Sequence, residues 1–338
     1  MRHARRLLVV TVAVSAVLTG CARREQAPPA PVQMPEPVEE ARRPVTARFT
    51  YSEKTCYAPV IVAVERGLYA EEGLKIEKQV VTGGIESAEA ITTGQADLAA
   101  LGDAPAVICM SRSPKVKLLA PLGDGERMHR IVVRSDAGID EPADLAGRRL
   151  AVQHGSSTHG ALLLYLKKHN VDPASVTFVS LSPRDFPEAM SSGQIDAAAG
   201  SAPWPQNVLA TCDNAELFAN LEGLGNTYPV VILVRGEFGS EHPEAARAVV
   251  RATQAAADWI DDHPQETAEL LSRRSGVEPD REREMLNDYR FGTDLTRSVI
   301  DSLEMTAHFL KDQGRIDEVP DIEAQLALPE LLTEEEPS

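Results

Sequence analysis

From Phe49 onward, apolar positions recur in two rhythms. Phe49–Ser52 and Leu74–Val81 alternate as strands, and Leu98–Leu101 and Val116–Pro121 are apolar runs of buried-strand length. Between them Val60–Tyr69, Ile85–Thr93 and Pro105–Ser111 read as helices, the first fraying at Gly67. The alternation then begins again. Arg149–Val152, Val176–Leu181 and Ala197–Ala199 read as strands, and Thr158–His169 and a segment through Met190 as helices. Ile131–Arg134 and Val230–Val234 flank this second set, and are read as the segments where the chain passes out and back. Beyond Gly239 only helical spacing remains, over Pro243–Asp261, Pro264–Ser275, Asp280–Tyr289 and Leu295–Gln313. Strands alternating with helices predict an α/β fold with mostly parallel sheets.

The two sets share a near-copy. Glu89-Ala90-Ile91-Thr92-Thr93-Gly94-Gln95-Ala96-Asp97 aligns without a gap on Glu188-Ala189-Met190-Ser191-Ser192-Gly193-Gln194-Ile195-Asp196. Each block reads as a helix end, a glycine stop, a small-residue strand and a loop marked by Ala104-Pro105 or Ala202-Pro203. A period of about 100 residues is too long for a solenoid repeat. It predicts two lobes of like design with a ligand cleft between them.

The chain's start predicts export. Arg2, Arg5 and Arg6 precede the short apolar run Leu7–Leu18, too short to span a bilayer as a mature helix. Leu18-Thr19-Gly20-Cys21 resembles a bacterial lipobox, which implies lipidation of Cys21 and a membrane anchor. The Pro-rich stretch that follows reads as a semi-rigid tether. The chain thus divides into a lipoprotein signal at 1–21, a tether at 22–48, lobe 1 at 49–131 plus 228–332, lobe 2 at 132–227, and an acidic tail at 333–338.

Charge and cysteines narrow the function. A net charge of −17 argues against nucleic acid as partner, without forbidding a local anion site. Besides Cys21 there are Cys56, Cys109 and Cys212; Cys56 and Cys109 are the candidate disulfide pair. No C-x-x-C, helical zinc motif, nucleophile elbow, Walker loop or dinucleotide fingerprint is present, so neither a metal, a cofactor nor a catalytic residue is expected.

Tyr57-Ala58-Pro59, Gly67-Leu68-Tyr69 and Glu72-Gly73-Leu74-Lys75-Ile76 resemble the opening of the periplasmic solute-binding proteins for nitrate, taurine and aliphatic sulfonates. Gly102-Asp103-Ala104-Pro105, Asp144-Leu145-Ala146-Gly147-Arg148 and Gly155-Ser156-Ser157-Thr158-His159 extend the resemblance, most closely to the sulfonate branch. It implies a type II periplasmic binding protein: two α/β lobes, a central cleft, two crossovers, and a lipid-anchored protein delivering a small anion to an ABC permease and ATPase. Two alternatives stay open on this fold. One is a binder of a cationic pyrimidine using Asp103 and Glu53; the other is an enzyme like the thiamine-pyrimidine synthases, whose fungal members carry a cysteine-rich motif that this chain lacks. A Trp-Asp-Pro frequent in sulfonate binders is replaced by Ser201-Ala202-Pro203 with Trp204 one step on.

Ligands of open α/β sheets sit at the carboxyl ends of strands. Two loops there open helices, at Gly83-Gly84-Ile85 and at Gly155-Ser156-Ser157-Thr158-His159. Their free N–H groups and partial positive charge suit an oxyanion. Tyr57, Asp103, Arg184 and Trp204 complete the candidate ligand-binding set; the alternatives are core packing for Tyr57 and Trp204, turn formation for Asp103 and a solvated loop charge for Arg184.

One prediction concerns the anchor. Cys21→Ala should release the protein from membranes without unfolding it, as membrane fractionation would show; a variant still wholly in the pellet refutes the anchor.

Overall fold

The computed structural model describes residues 43–334. Cys21, the signal segment and nearly all of the tether lie outside the described residues. The first lobe is built on β1 (Val45–Ser52), β2 (Leu74–Val81), β3 (Leu98–Gly102) and β4 (Val116–Asp124), with α1 (Ala58–Arg66), α2 (Leu68–Glu71), α3 (Gly84–Thr92) and α4 (Asp103–Arg112) between them. The second holds β5 (His129–Arg134), β6 (Arg149–Val152), α5 (Ser157–Lys168), β7 (Thr177–Ser180), α6 (Phe186–Ser191), β8 (Ala197–Ser201), α7 (Trp204–Thr211) and β9 (Ala215–Asn220). The chain returns through β10 (Val230–Arg235) and continues in α8 (Gly236–Glu241), α9 (Pro243–Asp262), α10 (Pro264–Ser275) and α11 (Pro279–Leu286). The short strands β11 (Arg290–Phe291) and β12 (Leu295–Thr296), α12 (Arg297–Asp312) and β13 (Leu332–Thr333) complete it.

The two sheets have one plan. The first runs β11-β4-β10-β3-β1-β2 and the second β7-β6-β8-β5-β9. In each, the lobe's first βαβ strands are parallel, and one strand from across the crossover, β10 or β5, enters antiparallel beside the third. The expected crossing strand Ile131–Arg134 therefore belongs wholly to the second sheet. The crossings are the segments 125–128 and 221–229, tied by Gly125 N donating to Thr227 O at 2.9 Å. Two other expected borders move as well. Val45–Arg48, assigned to the tether, pairs with Leu74–Glu77 as the start of β1, with Ala47 fully buried like Phe49 two residues on. Thr333, assigned to the tail, pairs with Thr296.

The near-copies explain the shared plan. Gly94 and Gly193 end the third and sixth helices with φ of 76° and 69°, a left-handed turn that glycine adopts without strain. Three residues on, Asp97 and Asp196 start β3 and β8 in matching bonds. Asp97 N donates to Arg48 O and its carbonyl accepts from Arg235 N, both at 2.9 Å; Asp196 does the same with Arg149 O and Arg134 N. The carboxylates repeat the pattern. Arg48 reaches Asp97 through Nε at 2.9 Å and Nη2 at 2.8 Å, and Arg149 reaches Asp196 at 3.1 and 2.7 Å. Arg235 adds a bond to Asp97 at 2.6 Å, whereas Arg134 stands 4.0 Å from Asp196.

The candidate disulfide does not form. Cys56, Cys109 and Cys212 are buried free thiols, each in a different hydrophobic cluster. Cys109 meets Thr92 Oγ1 at 3.1 Å and Cys212 meets Ser191 Oγ at 3.2 Å.

Burial alone would raise the Asp97 carboxyl, but the hydrogen bonds from Arg48 and Arg235 outweigh it and hold Asp97 at about 2. Its unfolded value is about 3.9. The stabilisation is thus complete above pH about 4 and is lost as pH falls through about 2. Asp97→Asn should cost about 3 kcal/mol at pH 7, the lower end for breaking such a pair because the arginines reach solvent. In denaturant titrations the gap to wild type should narrow from pH 5 toward pH 2; a constant gap would refute this assignment.

Candidate functional site

The carboxyl ends of β1, β3, β6 and β8 converge between the lobes on a small cavity of about 60 Å³. The first lobe contributes Lys54, Cys56, Tyr57, Gly84, Ile85, Gly102 and Pro105. The second contributes His129, Gln153, Ser156, Ser157, Thr158 and Ser201, with Met128 from the first crossing, and Val230 closes it. Four helix starts therefore border one space, those of α1, α3, α4 and α5. Each brings partial positive charge, although at α1 Ala58 N already donates to Thr55 O and Pro59 has no N–H.

Lys54 adds its amino group. It makes no ion pair among the described residues, and burial pushes its ammonium below the ordinary lysine value, against the pull of Cys56 and Glu86. A desolvated cation beside four helix starts is a strong attractor for an anion. The other titratable groups stay neutral. Burial pushes the Cys56 thiol up to about 12 and the Tyr57 phenol well above its usual value. Burial, with a smaller push from Lys54, lowers His129 to about 3.

Two wider recesses adjoin the cavity. One of about 410 Å³ shares Ile85 and Pro105 with it and is faced by Ala88, Ile108 and Gly155, with Arg112 and Arg315 also lining it. The other, of about 370 Å³, shares Lys54 and is lined by Thr82, Arg184, Trp204, Asn207 and Arg274.

The candidate residues separate accordingly. Tyr57, Gly84, Ile85, Ser156, Ser157 and Thr158 meet at the cavity. Arg184 and Trp204 stand together in the recess beyond Lys54. Gly83 is the extended cap of α3, where an added Cβ would come within 3.5 Å of Lys54 Nζ. Gly155 lines the apolar recess instead. Asp103 is buried and accepts from Thr306 Oγ1 at 2.7 Å, so it ties α4 to α12. Burial raises its carboxyl, opposed by the hydroxyls of Ser157 and Thr306. His159 turns away from the cavity. Its ring stacks on His154 at 4.9 Å and meets Phe178 edge-on, while Ser156 Oγ caps its main-chain N–H at 3.2 Å. Lys54, His129 and Gln153 were not singled out by sequence reasoning. A loop lysine such as Lys54 reads in sequence as solvated charge.

The lobes are in close approach here. A Cβ added at Gly102, which ends β3, would run into Ser157 Oγ of the opposite lobe. Ala202 of the second lobe also packs with Val277 and Met285 of the first. Gly102 has an ordinary φ of −76°, so a side chain there strains nothing local. Gly102→Val should leave the fold intact and hold the lobes apart. Small-angle scattering should give a larger radius than wild type; an unchanged radius would show that this approach does not limit closure.

Comparison with known proteins follows the same lines. The model of the family described as NMT1/THI5 like matches residues 54–267. The taurine-binding periplasmic protein of Escherichia coli (strain K12) is 28% identical over 286 residues, 79% of this chain and 87% of that protein. Among solved structures, the alkanesulfonate-binding protein SsuA from Xanthomonas axonopodis pv. citri, bound to MOPS, superposes with a TM-score of 0.73 at 24% identity. The match covers 87% of this chain and 99% of that one. The desulfurization enzyme DSZB has the same fold, with a TM-score of 0.64 at 20% identity, over 85% of this chain and 97% of its own. The fold is that of the SsuA-type periplasmic binding proteins.

Proposed function

The chain belongs to the NMT1/THI5-like family, and on that premise we propose that it is the solute-binding component of an ABC importer. It takes a small organic anion of the sulfonate or taurine class between its lobes and presents it to a permease and its ATPase. It is exported and held at the membrane face by a lipid on Cys21. The observation that carries the reading is the Lys54 ammonium, without an ion-pair partner among the described residues, at a cavity bordered by four helix starts. The names of the taurine- and alkanesulfonate-binding relatives support the ligand class.

The protein is read as a binder and not an enzyme. DSZB shows that this fold can carry catalysis, and the Cys56 thiol does line the cavity. Burial pushes that thiol up, away from the thiolate a cysteine nucleophile needs. The cationic-heterocycle alternative finds less support, since Glu53 pairs with Arg274 at 3.1 Å and Asp103, bonded to Thr306 through one oxygen, does not line the cavity.

A thermal-shift panel of taurine, ethanesulfonate, nitrate, bicarbonate and an aminopyrimidine tests the class. The sulfonates should raise the melting temperature and the pyrimidine should not; the reverse order overturns the reading. Lys54→Met should weaken ethanesulfonate about ten- to a hundredfold in calorimetry, the worth of a charge-assisted hydrogen bond.

A further inference from the structure

Thr158 is the cavity hydroxyl whose bond leads to a histidine. Its Oγ1 lies 2.9 Å from His129 Nδ1. Both residues line the cavity and both are buried, at 5% and 2% exposure. Ser156, by contrast, gives its proton to Gln153 O at 2.7 Å. Whether Thr158 presents a proton or a lone pair to a bound group therefore depends on His129.

A neutral imidazole has one proton for two nitrogens. With the proton on Nε2, Nδ1 is an acceptor. Thr158 then donates to the ring and turns lone pairs into the cavity, repelling an oxyanion. With the proton on Nδ1, the ring donates to Thr158 Oγ1, and the hydroxyl proton is free to point at the ligand. One observation favours the second arrangement: Nε2 is buried without a hydrogen-bond partner, and a buried N–H without an acceptor is rarer than a bare acceptor. Tyr228 holds the ring edge-to-face, with centroids 4.9 Å apart at 80°.

We propose that His129 is a positioning residue that, as its neutral Nδ1–H tautomer, donates to Thr158 Oγ1 and so fixes the Thr158 hydroxyl as a donor into the cavity. This rests on the reading of the cleft as an anion site. The consequence is selectivity for acceptor-only heads. A sulfonate offers acceptors on all three oxygens, whereas a phosphonate monoanion brings a hydroxyl proton to a space where Lys54, the helix-start N–H groups and Thr158 all donate.

Two measurements decide it. Nitrogen-15 and carbon-13 shifts of the His129 ring in the ligand-free protein should report the Nδ1–H tautomer; the Nε2–H tautomer overturns the proposal. Calorimetry with ethanesulfonate then compares His129→Leu, which has no donor, with His129→Asn, whose amide N–H stands near the place of Nδ1. Leu should weaken binding about ten- to a hundredfold and Asn only a few-fold. Equal loss in both variants at unchanged melting temperature, or no loss with Leu, overturns it. Should wild type bind no sulfonate at all, the proposed function fails, while the tautomer measurement still decides the role of His129.

Discussion

A carboxylate at the foot of the third strand organises each lobe. Asp97 and Asp196 are bonded through main chain and side chain to an arginine of the first strand, and through main chain to an arginine of the antiparallel strand. One residue thereby sets the register of three strands. Because the antiparallel strand arrives from the other side of a crossover, the same knot ties each lobe to its connecting segment. The strand ends opposite the knots are where the cleft loops lie, so the geometry of the cleft depends on these two aspartates about one strand length away.

The cavity uses what this framework supplies without extra machinery. Parallel strands followed by helices bring helix starts to one edge, and two lobes facing each other bring four of them together. Lys54 adds its amino group. Hydrogen bonds then run from Asp103 through Thr306 to Asn226, whose side chain accepts from Tyr228 N at 2.7 Å. Tyr228 packs on His129, and His129 bonds to Thr158. Groups on both faces of the cleft are thus linked through residues flanking the crossings.

The sequence announced much of this and missed the rest for identifiable reasons. The repeated blocks made two lobes legible because glycine stops, small-residue strands and the shared aspartate all recur in order. The hydroxyl-rich start of α5 was legible from its capping residues. The crossover strand was misplaced because β5 is apolar and β-branched on either side of the boundary, and pairing partners cannot be read from one strand. His159 lies off the cavity because it follows Ser156, Ser157 and Thr158, which line it, and a step of one residue turns a helix by about 100°. Lys54 and His129 carried no local signal: burial defines both roles, and burial is set by residues distant in sequence.

The three buried thiols have a consequence for biogenesis. A chain exported as proposed arrives unfolded where thiols are oxidised, with Cys56, Cys109 and Cys212 all exposed at once. Since they end in three separate hydrophobic clusters, any bridge between two of them is a misfold. In the folded chain, burial in separate clusters keeps the three sulfurs apart. Maturation is then a race between hydrophobic collapse and oxidation, and a mutation that only slows folding would surface as aberrant cross-linking instead of a weaker native state.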